Sequence, residues 1–138
     1  MEDLYRLLQE GHHSLVVRHG NDVRTFDGRG IRDLLNLLAT EPDFLQSAEV
    51  ADKIVGRAAA ALMITGGVGR LFTPILSLTA IDLLKRSTVE YEYTETVPCI
   101  MNRENSGLCP MEAAALDAAT AEDAVEKIKQ KFQTLNHK

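Results

Sequence analysis

The sequence predicts an α/β protein of three layers, α/β/α, with helices on both faces of a mixed sheet. Three observations carry that prediction. Two short extended runs flank a turn-forming cluster near the start, which marks an antiparallel hairpin. Beyond it, segments of helical and of strand period alternate. The order helix, strand, helix, strand then calls for a parallel pair joined by a right-handed crossover, so both kinds of pairing meet in one sheet.

In DLYRLLQEG, Leu4, Leu7 and Leu8 recur at helical spacing and Gly11 ends the pattern, predicting a short opening helix across the sheet. Extended runs follow around Leu15 to Arg18 and Val23 to Phe26, with His19, Gly20, Asn21 and Asp22 as the turn between them. Asp27-Gly28-Arg29-Gly30 leads into a second helix whose Ile31, Leu34, Leu35 and Leu38 share a face, with Pro42 at its exit. The stretch EVADKIVGRAAAALMITGG, residues 49–67, reads as one amphipathic helix. Val50, Ala51, Ile54, Val55, Ala58, Ala61 and Leu62 form its apolar face, Asp52, Lys53 and Arg57 lie mostly off it, and Gly66 or Gly67 supplies a left-handed stop. VGRLFTPIL is expected as a buried strand, SLTAIDLLKRS as a helix capped by Ser77, and VEYEYTETV as an alternating strand. Two helices complete the chain, CPMEAAALDA and then TAEDAVEKIKQKF, the latter starting at Thr120 or Ala121. No linker or repeat interrupts this order, so residues 1–138 are expected to form one domain.

Composition narrows the function classes. The 138 residues can bury a core without disulfide or metal staples. A net charge of −5 with no basic stripe argues against a nucleic-acid partner. No apolar run reaches the ~18 residues of a membrane helix, and the acidic, amphipathic MEDLYRLLQEG is unlike a signal peptide, so a cytoplasmic location is expected. Cys99 and Cys109 make no disulfide framework and should be reduced thiols. His12, His13, His19 and His137 lack metal-ligand spacing, and no HExxH, P-loop, GxSxG or full GxGxxG motif is present; no metal or cofactor is expected. Thr65-Gly66-Gly67-Val68-Gly69 follows a helix, where a phosphate loop would follow a strand, and reads as a helix stop.

Three loop-to-helix junctions could carry chemistry, since helix starts present unpaired N–H groups to anions. In DGRGI the glycines would let backbone approach a ligand and Arg29 would add charge; the same glycines serve an ordinary turn. At Ala51-Asp52-Lys53, an Asp in a first turn is ordinary dipole compensation, and Lys53 and Arg57 at i,i+4 suit a solvated face as well as a site. In MNRENSGLCPMEAAAL, Pro110 fits the first helical position, which places Cys109 at the N-cap and Glu112 three residues on. A thiol there sits in a field that favours the thiolate, while a cysteine can equally be a small buried hydrophobe.

Taken in order, DGRGI, ADKIVGRAAA, GG ahead of a strand, and NRENSGLCPMEAA resemble domain-of-unknown-function family 1893, small prokaryotic proteins with a cytidine-deaminase-like fold that lack the zinc motif. The resemblance runs from the hairpin to Ala115. Zinc deaminases hold their metal with His or Cys at one helix start and PCxxC at another, with a Glu as proton shuttle. Here the first of these starts is expected to read Ala51-Asp52-Lys53, and the second, Pro74-Ile75-Leu76-Ser77-Leu78-Thr79-Ala80, has no thiol. Zinc-dependent deamination is therefore disfavoured. The resemblance also implies a location: Asp52 and Lys53 fall where the metal centre is lost, and a closing 102–112 segment would gather Lys53, Arg57, Asn102, Arg103 and Cys109 into a cationic cluster with one thiol. Three functions are carried forward. The first is a metal-independent site for a nucleotide-like or anionic small molecule, with Asp52 and Lys53 as its polar core and Arg29, Arg57, Asn102 and Arg103 as ligand-binding residues. The second is an enzyme using Cys109 as nucleophile or redox thiol. The third is a non-catalytic homo-oligomer assembled through alanine-rich surface such as Ala58 to Ala61.

Overall fold

The computed structural model describes residues 2–28, 31–100, 107 and 109–136. Helix α1 (Glu2–Glu10) precedes a hairpin of β1 (Leu15–His19) and β2 (Asp22–Phe26), paired from Leu15↔Phe26 to His19↔Asp22. Gly20 turns the hairpin at φ 61°, a left-handed conformation that glycine adopts without strain. Helix α2 (Arg32–Thr40) ends where Pro42 opens a short second helix, α3 (Pro42–Leu45). A proline lacks an N–H to continue a helix but fits a first helical position, which is its place here.

The chain then departs from the expectation of one helix over 49–67. Residues Glu49–Asp52 form a strand, β3, and Ile54–Val55 form β4; only Arg57–Gly66 is helical, as α4. The apolar positions 50, 51, 54, 55 and 58 satisfy a helical stripe, but Val50, Ile54 and Val55 are β-branched and prefer the pleated surface of a sheet. The helix that does form begins after Gly56 and ends at Gly67, whose φ of 80° supplies the expected left-handed cap. Strand β5 (Arg70–Ser77), helix α5 (Leu78–Leu84) and strand β6 (Glu90–Val97) follow as predicted, with the Ser77 hydroxyl accepting from the Ala80 N–H at 3.0 Å. Helices α6 (Pro110–Leu116) and α7 (Ala121–Asn136) close the chain.

The six strands make one mixed sheet. β3 pairs antiparallel with β1 and parallel with β5, which in turn pairs parallel with β6. β3 and β4 keep the same register on β5, Ala51↔Phe72 and Ile54↔Ile75, so they lie end to end as one lane broken at Lys53. Alternation sorts the side chains into two layers. Val16 and Ala51 face α1, against Leu4 and Leu8, and Tyr5 meets the Phe72 ring edge-on at 4.6 Å. Leu15, Val17, Val50 and Leu71 face the larger core filled by α2 to α7, with α4 at its centre. The helices thus cover both faces, which is the predicted three-layer arrangement.

Candidate functional site

The break at Lys53 has a partner across the sheet. Pro74 on β5 has no N–H for the ladder, and the neighbouring Ile75 N–H is met by the Thr73 hydroxyl at 3.4 Å. Core-facing residues are Val50 and Leu71 before the break but Val55 and Leu76 after it, five residues on in each strand. An odd step reverses the face in a regular strand. Both strands therefore change phase at the same level, and Asp52, Lys53, Thr73 and Pro74 occupy the irregularity. It lies at the carboxyl end of β3 and midway along β5, whose pairing continues beyond it to Val55↔Leu76 and Ser77↔Val97.

Asp52 ends β3 opposite Leu15. Its carboxyl is partly buried, and burial pushes its pKa up to about 8 against hydrogen bonds from the N–H of Ile54 and, in smaller part, Lys53. A carboxyl so held is largely neutral at pH 7, and can both donate and accept a hydrogen bond. The Lys53 side chain is exposed, and its N–H also donates to the Ser14 carbonyl at 3.1 Å, stitching the break to the start of β1. Asp52 and Lys53 are thus the lip of a broken strand, and the expectation that they start a helix is corrected.

The start of α4 is instead satisfied from within. Glu112, the residue the sequence places three beyond Cys109, reaches across to α4 and accepts from the N–H groups of Arg57 and Ala58, each at 2.9 Å. Burial raises the Glu112 pKa, opposed by those two N–H groups and the Arg57 charge. Gly56 makes the approach fit, because a Cβ there would stand 2.4 Å from Glu112 Oε1 and 2.6 Å from Ile100 Cγ1. Arg57 turns inward. Nε donates to the Ala115 carbonyl at 3.1 Å, Nη1 to the Thr79 carbonyl and Asp82 Oδ2 at 2.9 Å, and Nη2 to the Ala118 carbonyl at 2.9 Å. It is 6% exposed, so its guanidinium joins α4, α5 and the end of α6 rather than facing solvent. The Arg57 hydrogen bond in turn holds Asp82 below the usual carboxylate range.

Cys109 does sit at the N-cap of α6 with Pro110 at its first position, as the sequence predicts. It is partly buried against the main core, and its N–H donates to the Ile100 carbonyl at 3.2 Å. Arg29, Asn102 and Arg103 lie outside the described residues. Among the described candidates, no hydrogen bond or ion pair joins Asp52 or Lys53 to the Arg57 guanidinium or the Cys109 thiol. Sequence reasoning missed Glu112 as a cross-helix cap and Pro74 as the partner of the break. A proline inside a predicted central strand is the signal that could have disclosed the latter. A concavity lined by Arg70, Leu71, Val89, Glu90, Tyr91 and Glu92 opens at the opposite, amino-terminal end of β5 and β6.

The donor set also bears on zinc. The start of α4 reads Gly56-Arg57-Ala58 and that of α5 Ser77-Leu78-Thr79, with neither thiol nor imidazole, and the one carboxylate at α4 already serves two N–H groups. Those residues do not fit a deaminase metal centre, which takes about three protein ligands.

The molecule is thus a three-layer α/β protein whose mixed sheet is interrupted in two neighbouring parallel strands. Its sequence matches the model of the DUF1893 domain of unknown function over residues 3–132, and the chain belongs to that family. The crystal structure of a DUF1893 family protein, TM1506 from Thermotoga maritima, is similar with a TM-score of 0.84 at 21% identity, over 96% of this chain and 92% of that one. At that identity the likeness establishes the fold. Comparison with curated proteins gives no match.

Proposed function

We propose that this chain is a cytoplasmic protein with a metal-independent small-molecule site on a cytidine-deaminase-like scaffold, centred on Asp52 and Lys53. The observation that carries the reading is the paired strand break, which leaves a neutral carboxyl and an exposed ammonium side by side where β3 ends. A neutral carboxyl hydrogen-bonds a carbonyl or ring nitrogen, and an adjacent lysine attracts a carboxylate or phosphate; together they suit a nucleotide-like or other anionic ligand. With its pKa near the working pH, Asp52 can also serve as a general acid or base. Arg29, Asn102 and Arg103 remain candidate anion contacts, whereas the Arg57 guanidinium is spent on Thr79, Asp82, Ala115 and Ala118.

The test is a melting-shift screen of small anionic metabolites and nucleotides against wild type, Asp52→Asn and Lys53→Ala. The reading expects at least one compound to raise the wild-type Tm and to lose most of that effect in both variants. Shifts that persist unchanged in the variants would remove its basis.

A second reading, in which Cys109 is a nucleophile or redox thiol, is favoured by the N-cap position. Alkylation of Cys109 no faster than a free thiol at neutral pH would dismiss it. For a homo-oligomer, Ala58 to Ala61 supply no surface, because all four are buried in the chain's own core.

A further inference from the structure

One margin of the sheet is a strand that little covers. Among the described residues β6 pairs only with β5, in a constant parallel register from Arg70↔Glu90 to Ser77↔Val97. Among those residues, its outer edge therefore presents backbone N–H and C=O groups with no strand beside them. Residues 92–96 are exposed without interruption, so the strand is open on its faces as well as along its edge. Tyr93 is 45% exposed, and its ring stacks on that of Tyr91 with centroids 6.4 Å apart.

Edges that must stay alone are kept short, bulged, or set with lysine and proline. EYEYTETV carries none of these devices. It runs for eight residues in one register, without lysine or proline, and its tyrosines, threonines and valine favour a strand. The glutamates are the remaining guard, and two of them are held by the chain itself. Arg70 on β5 places Nε 3.5 Å from Glu90 Oε2 and Nη2 3.8 Å from Glu92 Oε1. Their charge is partly offset from the inner side, so the edge does not call for a basic segment on its outer side.

We infer that β6 is a self-association edge, on which a second copy of this chain lays its own β6 antiparallel across a two-fold axis normal to the sheet. Such an axis passes through a residue, because directly opposite residues share a face. Centred on Tyr93, it sets Tyr93 against its counterpart, Glu92 against Thr94, Tyr91 against Glu95, Glu90 against Thr96 and Val89 against Val97. No carboxylate is then directly opposite a carboxylate, which would oppose pairing, and the two Tyr93 residues form an aromatic cross-strand pair at the axis. Centred one residue on, at Thr94, the axis would set Glu90 against Pro98, which has no N–H to give. The contact is closed: each copy uses its one β6 edge, and assembly stops at the dimer. It does not depend on the reading of Asp52, which lies on β3, beyond β5.

The experiment is sedimentation velocity of the full chain from about 1 μM to about 1 mM, the span of weak to moderate association. Amide hydrogen exchange is measured at both ends of that range, and wild type is compared with Thr94→Lys and Thr94→Glu. Thr94 is exposed, so neither substitution disturbs the core. Wild type should pass from monomer to dimer and no further, with exchange slowed over residues 90–97. Since each Thr94 faces a Glu92 of the other copy, Thr94→Lys should lower the dimer Kd about tenfold, and Thr94→Glu should raise it about as much. A wild type that stays monomeric throughout, a dimer without slowed exchange over 90–97, or two variants that weaken association alike would overturn the inference. A monomer whose 90–97 amides are slowed by added polylysine would overturn it in favour of a basic partner.

Discussion

At the residue scale, the charges that the sequence groups together divide between two tasks. Lys53 faces solvent and Asp52 lies half-sunk at the break, whereas Arg57, four residues on, spends its donors on the carbonyls of Thr79, Ala115 and Ala118 and on Asp82. Removing it strands buried acceptors as well as a packed side chain. Arg57→Met should cost about 3 kcal/mol in urea denaturation, and Arg57→Lys should recover little, since an ammonium cannot reproduce the planar fork. Gly56 is under a different constraint, the close approach of Glu112 and Ile100. Gly56→Ala should lose about 2 kcal/mol by overpacking, read in the same denaturation.

At the scale of elements, much of the fold was legible because local rules and tertiary packing agree. The opening helix, the hairpin, β5, α5, β6, α6 and α7 all stand where periodicity and caps placed them. Ser77→Ala should lower stability by about 1 kcal/mol, measurable as a reduced Tm, because the α5 start would then lack its side-chain acceptor. Residues 49–55 were misread because a four-residue strand, a kink and a two-residue strand happen to reproduce a helical spacing of apolar positions, and the alanines from 58 extend that stripe smoothly into a true helix. Beta-branching at Val50, Ile54 and Val55 was the contrary signal, and it was outweighed by length. The candidate site was legible in part. Asp52 and Lys53 were identified, but as a helix start, and the Cys109 cap was placed correctly. What could not be read was where Glu112 and Arg57 reach, since both cross from one helix to others more than twenty residues away in sequence, a matter of tertiary packing.

At the scale of the whole molecule, the partly buried Asp52 and the buried Glu112 make stability depend on pH. Asp52 and Glu112 both have folded pKa values raised above those of an unfolded chain, chiefly by burial. Between its unfolded and folded pKa values such a group binds more protons in the native state, so each contributes stability that is present at acid pH and lost as pH rises. For Asp52 that window runs from about 4, the ordinary Asp value, to about 8, with a slope of at most about 1.4 kcal/mol per unit. Asp82, held low by Arg57, works in the opposite sense below the ordinary carboxylate range, but it is half-exposed and contributes little. Asp52→Asn isolates the share of Asp52 from that of Glu112. The decisive measurement is therefore the unfolding free energy of wild type and Asp52→Asn by urea denaturation from pH 5 to 9. Wild type should lose stability relative to the variant steadily up to about pH 8 and then level off; curves that run parallel across the whole range would contradict a neutral Asp52 and the site built on it.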